Sequence, residues 1–225
     1  MQIGFLVFPQ VTQLDLTGPY EVLSMIPNAQ MHLVWKSRQP VAASGGLILT
    51  PTTTYVECPK LDLVCVPGGS GMNALLTDDS TLDFLRDQAK TARYITSVCT
   101  GALVLGAAGL LKGKKAATHW MSMEFLEAFG ATPVDQRVVI DGNTITGGGV
   151  TAGIDFGLSV AAEVAGEEVA RHIQLGIEYD PLPPFPGGHP RSSDPSLVVS
   201  ARERAKTRQE ERRAQVERAA SALKG

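Results

Sequence analysis

Residues 94–111 read YITSVCTGALVLGAAGLL, an apolar run, Tyr94–Val98, that passes through Cys99, Thr100 and Gly101 into small and apolar residues, Ala102–Leu110. The first part has the length and branching of a buried strand, and the second reads as a small-residue helix ended by Gly109 or Gly113. A strand-turn-helix corner with Cys99 at its apex is therefore predicted. Working outward, Ile3–Phe8, Met31–Trp35 and Leu63–Val66 are also continuous apolar runs bounded by turn residues. Runs without polar alternation mark strands covered on both faces, as in a parallel sheet. Between them Asp15–Met25 and Thr81–Ala92 have helical spacing, the second opened by Thr77, Asp78, Asp79 and Ser80 as caps. Beyond the corner, Ala116–Thr118 and Thr144–Thr146 read as strands around a helix at Ser122–Phe129, followed by a small-residue helix at Thr151–Ala165. This alternation predicts an α/β fold: an open, mostly parallel sheet with helices on both faces, binding its ligand beyond the carboxyl ends of the strands.

From Asp180 the composition changes to DPLPPFPGGHP, residues 180–190, which is neither helix nor central strand. Asp194–Leu223 then reads as a long polar C-terminal helix with interleaved Arg and Glu, solvated and lying across the body or a partner subunit. The expected organisation is an α/β domain over residues 1–190, carrying the cysteine corner, and a polar helical extension over residues 191–225.

With 225 residues, 44% of them hydrophobic, the chain has material for one large core, and 20 basic against 23 acidic residues leave a net charge of -3. That balance argues against nucleic-acid and membrane partners. Three cysteines without a CxxC spacing exclude a disulfide framework and a structural zinc site, so a reducing, cytoplasmic compartment is expected. Met1–Val11 lacks a basic flank and a cleavage site, and no apolar run approaches the roughly 20 residues of a membrane span.

Cys99 has two readings, a nucleophile lifted out of the sheet with its pKa lowered by the helix N-terminus, or a small buried apolar residue. Cys58, in a proline-flanked loop, and Cys65, in an apolar strand, read as structural. After Leu63–Val66 comes Pro67-Gly68-Gly69-Ser70-Gly71, whose bare amides suit a developing negative charge, with the amide of Thr100 facing them. In Gln13-Leu14-Asp15-Leu16-Thr17-Gly18-Pro19 the lone acid is either a helix N-cap or a carboxyl whose pKa burial raises toward neutrality. His119, in ATHW, and His172, in ARHIQLGIEYD, are further candidates, neither adjacent to Cys99 in sequence.

Taken jointly, IGFLVFP (3–9), QLDLTGP (13–19), VPGG (66–69), SVCTG (97–101), ATHW (117–120) and GGGVTAGIDFGLSVAAEVAG (147–166) resemble the ThiJ/PfpI superfamily of class I glutamine-amidotransferase-like proteins, from Met1 to about Pro190. The resemblance implies a flavodoxin-like sheet with Cys99 as nucleophile. Many members carry Glu near the first helix and His directly after the cysteine. Asp15 and Thr100 depart from that pattern, away from the protease and glyoxalase branches and toward members that hydrate isonitriles, whose elbow reads Cys-Thr-Gly, whose acid is Asp, and whose sequence resembles the QLGIEYDPLPPF run (174–185). The sensor domains of AraC-family regulators share ATHW, TAGID and the elbow, but a single polar helix here leaves no room for their DNA-binding half.

The resemblance implies an organic isonitrile as substrate, an N-substituted formamide as product, a homodimer, and no cofactor or metal. In that scheme Cys99 attacks, Asp15 serves as general acid and base between Leu14 and Leu16, Thr100 sits beside the thiolate, and Gly69 and Ser70 offer amides. The 147–150 turn falls near the nucleophile, with Gly148 and Val150, and also His119, as supporting residues. Its glycines either let strand and helix pack closely or let the helix shift when the cysteine is modified. A glyoxalase- or deglycase-like activity and a cysteine-based oxidation sensor are the alternatives. The polar C-terminal helix, with little apolar area to dock on one subunit, agrees with the homodimer.

Overall fold

A computed structural model describes residues 1–223; positions 224 and 225 of the expected extension lie outside the described residues. In chain order the elements are β1 (Gln2–Leu6), α1 (Gln13–Ser24), β2 (Gln30–Trp35), β3 (Val41–Ala42), β4 (Ile48–Leu49), β5 (Thr53–Thr54) and β6 (Leu63–Val66). There follow α2 (Met72–Leu75), α3 (Asp79–Ala89), β7 (Tyr94–Val98), α4 (Gly101–Ala107), β8 (Lys115–Ala116) and a 3-10 helix (Trp120–Phe129). The chain closes with β9 (Thr132–Pro133), β10 (Val138–Asp141), β11 (Thr144–Gly147), α5 (Ala152–Ala165), α6 (Glu167–Gly176) and α7 (Pro195–Ala222).

The seven-stranded sheet runs β10-β11-β7-β6-β1-β2-β5. Every pairing in it is parallel except the edge pair of β10 with β11. Side chains of a strand alternate between faces. Ile3, Phe5, Leu63 and Cys65 enter one core with α1, α5 and α6, while Leu6, Val64 and Val66 enter the other with α2, α3, α4 and the 3-10 helix. Both faces are apolar because both are covered, which is why these strands read as unbroken apolar runs. The expected strand at Ala116–Thr118 is shorter and lies outside the main sheet: β8 pairs with β9 in a two-stranded ribbon. Residues 181–193 are irregular, as expected.

The C-terminal helix corrects the sequence reading. It starts on Asp194, whose carboxylate accepts from Ser196 N–H at 2.7 Å, with Pro195 in the first turn. Far from being solvated throughout, α7 buries Ala205, Arg212, Val216, Ala219 and Ala220, and its Val216, Ala219 and Ala220 join the core of α4 and the 3-10 helix in the same chain. Spacings of three, four and seven put these residues on one stripe. The stripe is narrow and, apart from Arg212, built from small side chains, so it does not register as apolar in composition. Docked on its own subunit, α7 gives no reason for a homodimer. Among the described residues no helix is long and apolar enough to cross a membrane.

Val216 is only 2% exposed. Placing a carboxylate there by Val216→Asp is expected to destabilise the fold by on the order of 3 kcal/mol or more, since an unpaired buried charge has no compensation. Urea unfolding at several protein concentrations checks this; an unchanged midpoint would mean that α7 is not part of this core.

Candidate active site

The carboxyl ends of β1, β6, β7 and β11 converge at one edge of the sheet, and each delivers one wall of a site. At the end of β7, Cys99 takes a left-handed backbone conformation, φ +55°, which is unfavourable for a residue with a side chain. Its surroundings hold it there. Cys99 N–H donates to both Gly147 O (3.0 Å) and Gly148 O (2.9 Å), and its carbonyl accepts from Thr118 Oγ1 at 2.7 Å. Gly101 lies against the carbonyl oxygens of Val66 and Pro67, so closely that a Cβ at this position has no room. The corner anticipated from SVCTG is thus a strained, tightly clamped turn.

Asp15 sits under this corner, fully buried at position N3 of α1. It is not the helix cap: the cap position is Thr12, and the Asp15 carboxylate instead accepts from Gly68 N–H at 3.1 Å. A Cβ on Gly68 would come within 2.7 Å of Asp15 Oδ2, Thr100 N and Thr100 Oγ1, so only glycine lets these three groups meet. The second carboxyl oxygen, Oδ1, is buried without a hydrogen-bond partner among the described residues. Burial pushes the Asp15 pKa from 3.8 up to about 7, against the opposing pull of the Cys99 thiol and the Gly68 amide. Leu16 is buried and Leu14 half-buried.

The Cys99 thiol is raised rather than lowered, which corrects the expectation drawn from the helix N-terminus. Burial is the largest cause, and the Asp15 charge adds to it, while the amides of Thr100 and Val150 pull the other way. A short helix end stabilises an anion by about 1 kcal/mol or less, which does not offset removal of a thiolate from water. The two acids titrate as a pair.

Above the sulfur lies a pocket of about 300 Å3 lined by Thr12, Ser44, Gly69, Ser70, Cys99, Thr100, His119, Met121, Val150, Arg208, Gln209 and Arg212. Thr100, Gly69, Ser70, His119 and Val150 are therefore brought together with Cys99, and Asp15 lies behind it. Gly148 and Val150 also line a neighbouring cavity of about 270 Å3, which shares His119 and Val150 with the first. The Gly69 N–H is not turned toward the sulfur: it donates to Thr100 Oγ1 at 3.1 Å, correcting the idea of a free amide on that loop. His119 accepts from Met121 N–H through Nδ1, and burial, together with Arg212 and Arg208, pushes its pKa down to about 4, so it is neutral near pH 7. His172 is exposed on α6, away from the pocket. Burial raises the Cys58 thiol to about 11 and the Cys65 thiol to about 12, and neither lines the pocket.

Arg208, Gln209 and Arg212 were missed because they sit on α7, outside every motif. Arg212 is buried, and Gln209 Oε1 is buried without a hydrogen-bond partner among the described residues. The signal for them was the stripe of Ala205, Arg212, Val216 and Ala219, which turns this stretch of the helix inward.

The chain is similar over nearly its whole length to a curated isonitrile hydratase of Pseudomonas putida, at 56% identity over 99% of this chain and 98% of that protein. The HTH-type transcriptional regulator GbdR of Pseudomonas aeruginosa is 32% identical over 79% of this chain, which spans 50% of the regulator. Among solved structures, a ThiJ/PfpI family protein from Pseudomonas syringae superposes with a TM-score of 0.93 at 43% identity, covering 96% of this chain and 90% of that one. Drosophila melanogaster DJ-1beta superposes with a TM-score of 0.73 at 25% identity, covering 80% and 98% respectively. The DJ-1/PfpI family model matches residues 1–163, and the chain belongs to that family.

Proposed function

We propose that this chain is an isonitrile hydratase, a hydro-lyase that adds water to an organic isonitrile and releases an N-substituted formamide. The observation that carries the reading is the buried contact between Cys99 and Asp15, in a chain 56% identical to the Pseudomonas putida isonitrile hydratase.

The Cys99 thiolate attacks the terminal carbon as the Asp15 carboxylic acid protonates that carbon. A C–S and a C–H bond form, the product is a neutral thioimidate, and the charge moves to Asp15. The carboxylate then takes a proton from water as the hydroxide adds to the same carbon, and passes that proton to nitrogen. Asp15 removes the remaining hydroxyl proton as the C=O bond forms and the C–S bond breaks, regenerating thiolate, carboxylic acid and free formamide. Every atom and proton is supplied by Cys99, Asp15, water and substrate. One group serves as both acid and base because its pKa, about 7, lies near the working pH.

In this reading the Thr100 and Val150 amides stabilise the sulfur anion, Thr100 Oγ1 holds the Gly69 loop against the elbow, and Ser70 lies at the pocket mouth. His119, neutral and fixed by Met121, forms the wall with Val150 and Gly148 beside it. Residues 1–190 carry the nucleophile and the acid, and α7, within the extension, lines the pocket above them. The free cysteines suit the cytoplasm. We propose a homodimer, supported by the exposed apolar side chains Leu182 and Phe185 on the linker and Leu197 and Val199 in the first turns of α7.

Cys99→Ala is expected to abolish formamide production with the fold intact, and Asp15→Asn to lower kcat/KM by about 10²–10⁴-fold. An isonitrile assay by chromatography decides, and turnover by either variant within a few-fold of wild type removes that residue from the mechanism. A raised carboxyl pKa also has a sign in stability. The folded state holds the Asp15 proton more tightly than the unfolded chain, so the stabilisation present below pH 4 is lost as pH rises through about 7. Asp15→Asn is therefore expected to gain on the order of a few kcal/mol over wild type between pH 4 and pH 8, measured by urea unfolding. A difference independent of pH would show that Asp15 is ionised throughout. Light scattering tests the homodimer, for which a mass near the 23.9 kDa of one chain is the contrary result.

A further inference from the structure

Arg212 is 4% exposed, yet among the described residues it forms no ion pair. Its Nε donates to Asn73 Oδ1 at 3.0 Å and its Nη1 to Ser122 Oγ at 2.9 Å, both neutral acceptors, which leaves most of its five N–H groups without a protein partner. A guanidinium this buried, open only toward the pocket it lines and without a counter-anion, is poorly compensated and favours an anion in that pocket.

The groups facing it identify that anion. Asn73 and Ser122, from α2 and the 3-10 helix, carry no charge, and His119 is neutral. Arg208, from the same helix, is a second cation. No Asp or Glu lines the pocket among the described residues; of the acids near this stretch of α7, Glu210 and Glu211 are exposed on the helix itself and Glu124 is paired with Arg213 at 3.0 Å. What remains is the Asp15–Cys99 pair, which carries one negative charge, on one member or the other, once its first proton has left. Cys99 lines the pocket with Arg212, whereas Asp15 lies behind the sulfur.

We propose that Arg212 is the counter-cation of the Cys99 sulfur, a positioning residue on the C-terminal helix that draws the pair's single negative charge onto the nucleophile. The proton balance is internal: the Cys99 S–H bond breaks, its electron pair stays on sulfur, and the proton forms an O–H bond on Asp15. That transfer yields the thiolate and the carboxylic acid together, the two forms that the first step of the proposed hydration consumes. The inference rests on that reading of Cys99 and Asp15 for its purpose, and on the pocket geometry alone for its electrostatics.

The test does not use an isonitrile, so its failure is separate from failure of the hydratase reading. Alkylation of Cys99 by iodoacetamide is followed between pH 5 and pH 10 by peptide mass spectrometry, in wild type, Arg212→Lys, Arg212→Met and Ser122→Ala, with circular dichroism to verify folding. Arg212→Met is expected to raise the midpoint of alkylation by about one pH unit or more and to slow the reaction at neutral pH about tenfold, the loss of thiolate that such a shift implies. Arg212→Lys, which keeps the charge, and Ser122→Ala, which removes only a hydrogen bond, are both expected to keep the wild-type midpoint within half a unit. A folded Arg212→Met with the wild-type midpoint overturns the proposal. If Arg212→Met does not fold, the other two variants decide: a shift of one unit in Arg212→Lys, or in Ser122→Ala, shows that geometry and not charge sets the sulfur, and overturns it as well.

Discussion

Asp15 and Cys99 are two acids buried against each other with room for one negative charge between them. Burial raises both; the Asp15 charge raises the thiol further, while the hydrogen bond with the thiol pulls the carboxyl down. A pair of this kind is unfavourable in a folded protein unless something compensates, and the compensation is visible in what surrounds it. The amide of Gly68 serves the carboxylate, the amides of Thr100 and Val150 serve the sulfur, and these three donors come from loops following three different strands. Isolating the pair from water requires those loops to close over it from separate strand ends, so the register of the parallel sheet is a condition of the chemistry.

Strain and stability are distributed in the same way. The left-handed backbone at Cys99 and the raised carboxyl at Asp15 both work against folding, each by an amount that matters to a domain whose net stability is typically about 5–15 kcal/mol. The two apolar cores on either face of the sheet supply the surplus that lets both persist. This is the usual relation between a preorganised site and its scaffold: the rigid strands hold a corner that the chain would not adopt alone. Glycines 68 and 101 are part of that device, because a Cβ at either would push the elbow away from the strand end it must touch.

The sheet and the elbow were legible in the sequence for a physical reason. Strands buried on both faces write unbroken apolar runs, and a corner between strand and helix needs small residues at fixed offsets, as in Ser97-Val98-Cys99-Thr100-Gly101. Asp15 was legible only as an acid among leucines; that its carboxylate reaches Gly68 instead of capping α1 depends on a contact 53 residues away in sequence. The sign of the Cys99 shift was misread because a helix end is a local feature, visible in sequence, while burial is not. Residues of α7 were hidden for a different reason. Alanines and a single valine do not stand out in a polar helix, and an arginine reads as solvated until the structure puts it 4% exposed above the sulfur.

The commitment of the Gly69 amide to Thr100 Oγ1 distinguishes this site from one built for acyl transfer. Attack on a carbonyl develops charge on oxygen, and a site for that reaction needs free donors aimed at the oxygen. Attack on an isonitrile develops charge on carbon, where a hydrogen-bond donor is a poor substitute for a proton. In the proposed reaction the group that matters is therefore an acid within reach of the carbon and neutral near the working pH. Asp15 meets the second condition through burial. His119 fails as the acid, because burial, with Arg212 and Arg208 adding to it, pushes its pKa down to about 4 and leaves it no proton to give near pH 7. The same two arginines that add to the histidine's shift would favour an anion at the sulfur, so the helix that sequence composition presents as a solvated appendage contributes charge to the pocket it lines.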